Sequence, residues 1–214
     1  MDFKDMTINM FAQGIAGEHT IAGGGSVSAL AGAFGAALIC MVSRKTMQNK
    51  KYAEVHDYFQ KLLHDTQKPL ETFLDGIQED INAFTVFEQA LALPKGTEEE
   101  KAARKAAMQD GMKAAAMAPM AIAELGAKMM SACWDIVAKG NKNAASDALA
   151  GVLMMRAAVL GSVYNVRINL KTVTDEEYCE KMLAKAAELE KTALNYEAKI
   201  MREATELTLC APEM

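Results

Sequence analysis

Proline is nearly missing from this chain, with four residues in 214, so little interrupts a helix along most of its length. Aromatic residues make up only 6% and β-branched runs are lacking, which removes the raw material of a sandwich or barrel. The three histidines, His19, His56 and His64, form neither an HxxxH nor an HExxH pattern, and a zinc or di-iron centre is not expected. Cys40, Cys133, Cys179 and Cys210 are scattered without a CxxC pair, so reduced thiols in a cytoplasmic protein are expected rather than a disulfide framework. Asp2, Lys4 and Asp5 ahead of Met10 have the wrong charge order for a secretory leader.

Acidic residues outnumber basic ones, 28 to 23, and the formal net charge of −5 argues against nucleic acid or an anionic membrane as a partner. Arg44, Lys45, Lys50 and Lys51 form one local cluster that could receive an anionic ligand. Residues 21 to 43 carry no charge and could span a bilayer by length alone. Their richness in Gly, Ala and Ser, with amphipathic segments elsewhere to wrap them, predicts a buried central helix instead.

What the chain does have is Ala, Met and helical periodicity, and we read residues 1–214 as one all-α domain. A short helix is predicted over about 5–16. The glycine run Gly23, Gly24, Gly25 is expected to forbid regular helix, with Ser26 as the N-cap of a second helix lined by small residues. A third helical region covers about 51–93, with a kink or restart at Pro69 and an end at Pro94 and Gly96. Thr97 and Glu100 make a capping box for a fourth helix, bent at Pro119 and stopped by Gly140. A fifth starts near Ser146 or Asp147 and runs to about 170, and Thr174 with Glu177 forms a box for a sixth. Short connections between six or seven long helices imply an up-and-down antiparallel bundle.

Two anomalies interrupt the regular patterns. Leu70, Phe73, Ile77, Asp80, Phe84, Phe87 and Leu91 recur at intervals of three and four, an apolar helix seam with one carboxylate in it. Such a charge fixes register, pairs with an Arg from a neighbouring helix, lies at an exposed edge of the stripe, or has its pKa raised by burial and serves as an acid and base. On the fifth helix, Asp147, Gly151, Met154, Ala158, Gly161, Asn165 and Asn169 share one face, polar at both ends and small between. That face suits either a flat ligand or a close helix contact. The glycine run lacks the GK[ST] of a P-loop, and its backbone amides beside a helix N-terminus are suited to a carboxylate or a polar ring edge.

The segments AGGGSVSALAGAFGAALICMVSR, DINAF with the later LPKGTEEEK, GNKNAASDALAG and YNVRINLK occur in that order across nearly the whole chain. Together they resemble the cyclodeaminase domain of formiminotransferase-cyclodeaminase and its free-standing bacterial relatives, apart from Ala22 where the family usually has proline. No transferase segment is present in this sequence. The resemblance implies a folate substrate, no metal or redox cofactor, a homodimer with sites near the subunit contact, and formimino-folate supplied by a separate formiminotransferase. It implies one of two reactions: cyclodeamination of 5-formimidoyltetrahydrofolate to 5,10-methenyltetrahydrofolate, or hydrolysis of the latter to 10-formyltetrahydrofolate. A helical folate-binding protein or scaffold without turnover is the competing class.

By the same resemblance, Asp80 is the catalytic acid and base. Asn165, Asn169 and Asp147 would bond the pterin and bridge, with Asn141 in the neighbouring polar turn. Gly24, Gly25 and Ser26 would contact substrate, and Arg44, Lys45 and Lys51 are candidates for its glutamate tail.

Overall fold

A computed structural model describes residues 3–18 and 22–208, and His19 and Cys210 lie outside the described residues. Among these, the secondary structure is helical throughout: α1 (Ile8–Ala16), α2 (Gly24–Met47), α3 (His56–Leu91), α4 (Glu98–Ala138), α5 (Ala145–Leu170) and α6 (Glu176–Thr208), with short 3-10 turns between several of them. Helices α2 to α6 alternate in direction. α2, α3, α4 and α5 form the central bundle, and α6 lies against α4 and α5.

α2 packs against α3, α4 and α5 because its side chains leave room for them. A Cβ on Gly32 would lie 2.5 Å from the ring of Phe73, and one on Gly35 would lie 3.1 Å from the backbone of Met155. Phe73 and Phe59 are fully buried in the resulting core together with Ile39, Val42, Met130, Ile136 and Met155. Replacing so deep a phenylalanine by alanine typically costs about 3–5 kcal/mol. Within the apolar stretch 21–43, residues 24–43 thus belong to a central helix.

Local signals for helix ends were mostly realised. Thr97 and Glu100 bond reciprocally as a capping box at α4, and Thr7 caps α1. Pro69 and Pro119 sit inside continuous α3 and α4, so Pro69 does not restart its helix. Two expectations need correction. Asp175, not Thr174, caps α6: its carboxylate accepts from the Tyr178 amide at 3.1 Å, whereas Thr174 is held by Gln109. The glycine run does not exclude helix either, because Gly24 and Gly25 form the first turn of α2 with Gly23 as the N-cap.

Candidate active site

Asp80 reaches the amino-terminal turn of α2 from α3. Its carboxylate accepts a 2.8 Å hydrogen bond from Ser26 Oγ, and the backbone of Ser26 bonds it as well. The residue thus occupies the anion position at a helix N-terminus, where amides lack intrahelical acceptors. Ser26 is fully buried and is a partner of Asp80 rather than an N-cap. Gly25 is required by closeness alone: a Cβ there would fall inside the Asp80 carboxylate.

Burial pushes the Asp80 carboxyl above the ordinary aspartate range, and the Ser26 bonds pull it partly back. Desolvation is the larger effect, so the carboxyl is poised to exchange protons closer to neutrality than a surface aspartate. No cation pairs with it among the described ion pairs.

The carboxylate faces a cavity of about 310 Å³ lined by Ala22, the three glycines, Asp80, Ile81, Phe84, Thr85, Glu88, Ala115, Asn165 and Asn169. Asn165 donates to the Gly161 carbonyl at 2.8 Å, and Asn169 donates across to the Ala115 carbonyl at 2.6 Å. Each side-chain amide is therefore oriented by its NH₂ group, which leaves its carbonyl oxygen as an acceptor. Gly24 and Gly25 supply amide donors at the head of α2, and Phe84 with Ile81 supplies an apolar wall. Polar groups at one end and an apolar strip beyond suit a flat heterocycle with a longer aromatic extension.

Five of the sequence candidates thus line one cavity: Gly24, Gly25, Asp80, Asn165 and Asn169. Arg44, Asn141 and Asp147 do not join them. Arg44 lies about 28 Å further along α2 than Gly25, and Asp147 about 27 Å from Asn165 along α5. At that far end, Asn141 caps a 3-10 turn and donates to the Lys45 carbonyl, while Asp147 pairs with Lys45 at 3.1 Å. Arg44 is exposed. The α5 face is divided accordingly: Gly151 and Gly161 fit closely against Leu38 and Ser28 of α2, and the asparagines alone reach the cavity.

Beyond Asp80 the apolar seam of α3 is not buried throughout. Phe84, 49% exposed, lines the cavity, and Leu91 is 42% exposed at the end of α3. The lining of the cavity by Thr85, Glu88 and Ala115 was not anticipated. Residues 80, 84 and 88 share a helix face, so their spacing could have identified Glu88.

No group of three or more His, Cys, Asp or Glu among the described residues is arranged to hold a metal ion. The Cys133 thiol, fully buried, is pushed up to about 12 and is chemically quiet.

An all-α bundle that presses a desolvated carboxylate against a glycine-built helix N-terminus defines a narrow class. Residues 7–188 match the sequence model of formiminotransferase-cyclodeaminase, and the chain belongs to that family. It is 36% identical over 177 residues to a methenyltetrahydrofolate cyclohydrolase of Methylorubrum extorquens, covering 83% of this chain and 85% of that protein. The formimidoyltransferase-cyclodeaminase of Gallus gallus is 32% identical over 80% of this chain, which spans only 32% of that longer protein. The crystal structure of formiminotetrahydrofolate cyclodeaminase from Thermotoga maritima superposes with a TM-score of 0.84 at 25% identity, covering 95% of this chain and 98% of that one.

Proposed function

We propose that this protein is an enzyme of folate one-carbon metabolism whose cavity holds the pterin and the N5–N10 region of tetrahydrofolate, with Asp80 as the acid and base. The observation that carries this reading is the desolvated Asp80 carboxylate at the cavity wall, held by Ser26 and flanked by Asn165 and Asn169. In the cyclodeaminase reaction, N10 of 5-formimidoyltetrahydrofolate attacks the carbon of the formimino group, which reacts protonated on its nitrogen as an amidinium, to give a tetrahedral centre that bears an NH₂ group. The N10–H proton passes to the Asp80 carboxylate, and the protonated carboxyl then delivers it to the departing nitrogen. Ammonia leaves, and 5,10-methenyltetrahydrofolate remains. A raised pKa suits a group that must both accept and return a proton, a contribution typically of about 10²–10⁴-fold.

A second reading is favoured by the 36% identity to a cyclohydrolase across most of both chains. There, Asp80 takes a proton from water as it attacks the same bridging carbon, and the ring opens to 10-formyltetrahydrofolate. Both reactions pass through a tetrahedral centre between N5 and N10, so one cavity can serve either.

A homodimer accords with the apolar residues left exposed on adjoining helices, Val27 and Phe34 of α2 with Tyr164 and Ile168 of α5. In the cyclodeaminase reading, a separate formiminotransferase supplies the substrate.

Separate incubations with 5-formimidoyltetrahydrofolate and 5,10-methenyltetrahydrofolate, followed at the methenyl absorbance, decide between the reactions. Appearance of the chromophore with ammonia release supports the deaminase; its loss above the spontaneous rate supports the hydrolase. No change with either would overturn the enzyme assignment in favour of a binding protein.

A further inference from the structure

The active-site cavity is lined by two carboxylates, Asp80 and Glu88, and by no lysine, arginine or histidine among the described residues. Its other polar side chains add to the same sign. Asn165 and Asn169 spend their NH₂ groups on the Gly161 and Ala115 carbonyls, so each has an amide oxygen left as an acceptor. Thr85 likewise donates its hydroxyl to the Ile81 carbonyl at 2.9 Å and keeps only acceptor capacity. The opposing potential comes from the amides at the head of α2, and Asp80 sits against them.

Glu88 is the member of this wall that the acid and base chemistry leaves unused. It follows Asp80 by eight residues with Phe84 midway, so carboxylate, aromatic ring and carboxylate succeed one another at steps of about 6 Å along α3. No described ion pair engages Glu88, which is exposed. Its place on the wall is nonetheless fixed. A Cβ on Gly111 would lie 2.9 Å from Phe87 Cα, so α4 meets the α3 backbone beside Glu88. The Phe84 and Phe87 rings pack with centroids 6.1 Å apart. A carboxylate and an aromatic face both attract a delocalised cation.

We propose that the cavity selects its substrate by charge, with Glu88 and the Phe84 ring holding the positive N–CH=N⁺ unit of an amidinium-type folate in preference to a neutral folate. The inference rests on the folate reading of the cavity. Both candidate substrates carry that unit: 5-formimidoyltetrahydrofolate when protonated on its formimino nitrogen, and 5,10-methenyltetrahydrofolate across N5 and N10. The two carboxylates then divide the labour. Asp80 gains and loses a proton as the reaction requires, while Glu88 supplies attraction for the one-carbon unit without entering the proton transfers. Formyl- and methyltetrahydrofolates are neutral at that carbon and gain nothing from it.

The test compares wild type with Glu88→Gln, which keeps the shape of the side chain and removes its charge. KM is measured for 5-formimidoyl- or 5,10-methenyltetrahydrofolate, whichever is turned over, and Ki for neutral 5-methyltetrahydrofolate in the same assay. The variant should raise KM about five- to tenfold and leave Ki within about twofold. In wild type the preference for the cation should shrink as salt rises from about 0.05 to about 0.5 M. Glu88→Asp should keep part of that preference, and Glu71→Gln, at an exposed α3 site paired with Lys68, should keep all of it. An equal rise of KM and Ki, or no rise in either, would overturn the charge assignment and leave the folate reading standing. If no folate is turned over, equilibrium titration with methenyl- and 5-methyltetrahydrofolate decides. A Glu88-dependent preference for the cation then supports the inference and counts against the catalytic reading, whereas equal or absent binding overturns the inference.

Discussion

The two ends of the bundle carry similar polar residues and use them differently. At the cavity end, Asp80 is withdrawn from water, its partner is a buried serine, and Asn165 and Asn169 orient their amides across an open space. At the far end, Asp147 meets Lys45 with side chains 35% and 48% exposed, and Asn141 spends its hydrogen bonds on backbone at a helix junction. An exposed ion pair contributes little, whereas burial away from cations raises the pKa of a carboxyl such as Asp80. Residue type does not distinguish the two ends; solvent access and the choice of partner do.

Asp80→Asn tests this difference most severely. Turnover should fall by at least about 10²–10⁴-fold while circular dichroism stays unchanged; near-wild-type activity would remove Asp80 from the chemistry. Its stability should respond in the opposite sense to a broken ion pair. Because the folded-state pKa lies above the unfolded one, ionisation of Asp80 opposes folding as pH rises through the folded value. The variant should therefore gain melting temperature over wild type at neutral pH and lose that gain below the ordinary aspartate range.

Gly25→Ala should come next, since its methyl must displace the Asp80 carboxylate. A destabilisation of about 1–3 kcal/mol by denaturant titration, accompanied by loss of turnover, is expected.

Ser26→Ala removes a hydrogen bond that holds the Asp80 pKa down. The kinetic limb that reports ionised Asp80 should move to higher pH, and stability should fall by about 1 kcal/mol. A limb that stays in place would mean that Ser26 does not tune the acid.

At the far end, Asp147→Ala should cost under about 1 kcal/mol in a denaturant titration, as an exposed pair does. A much larger loss, or a collapse of turnover, would break the contrast between the ends and bring a second copy's far end into the cavity.

The sequence made some of this legible and hid the rest for physical reasons. Helix caps such as Thr97 with Glu100 are local hydrogen-bond chemistry and can be read from four residues. Asp80 stood out because a charge violated an otherwise regular period. Periodicity could not tell that the seam loses its covering after Ile77, because Phe84 is apolar whether it faces a core or a cavity wall. Nor could it separate Asp147 from Asn165, which share a helix face but sit at opposite ends of α5. The glycine run was misjudged for a related reason: flexibility suggested a loop, but what Gly25 supplies is the absence of a side chain where α3 presses in.

The fit of Asp80 into the place a side chain on Gly25 would occupy also bears on how this protein can change over generations. A larger residue at position 25 must displace the carboxylate at 80, and under the proposed mechanism the loss of that carboxylate would remove the activity that selection would preserve. Neither position can take the first step alone. The two should therefore be inherited as a unit, and a descendant that abandons the chemistry should be the first lineage in which both are free to drift.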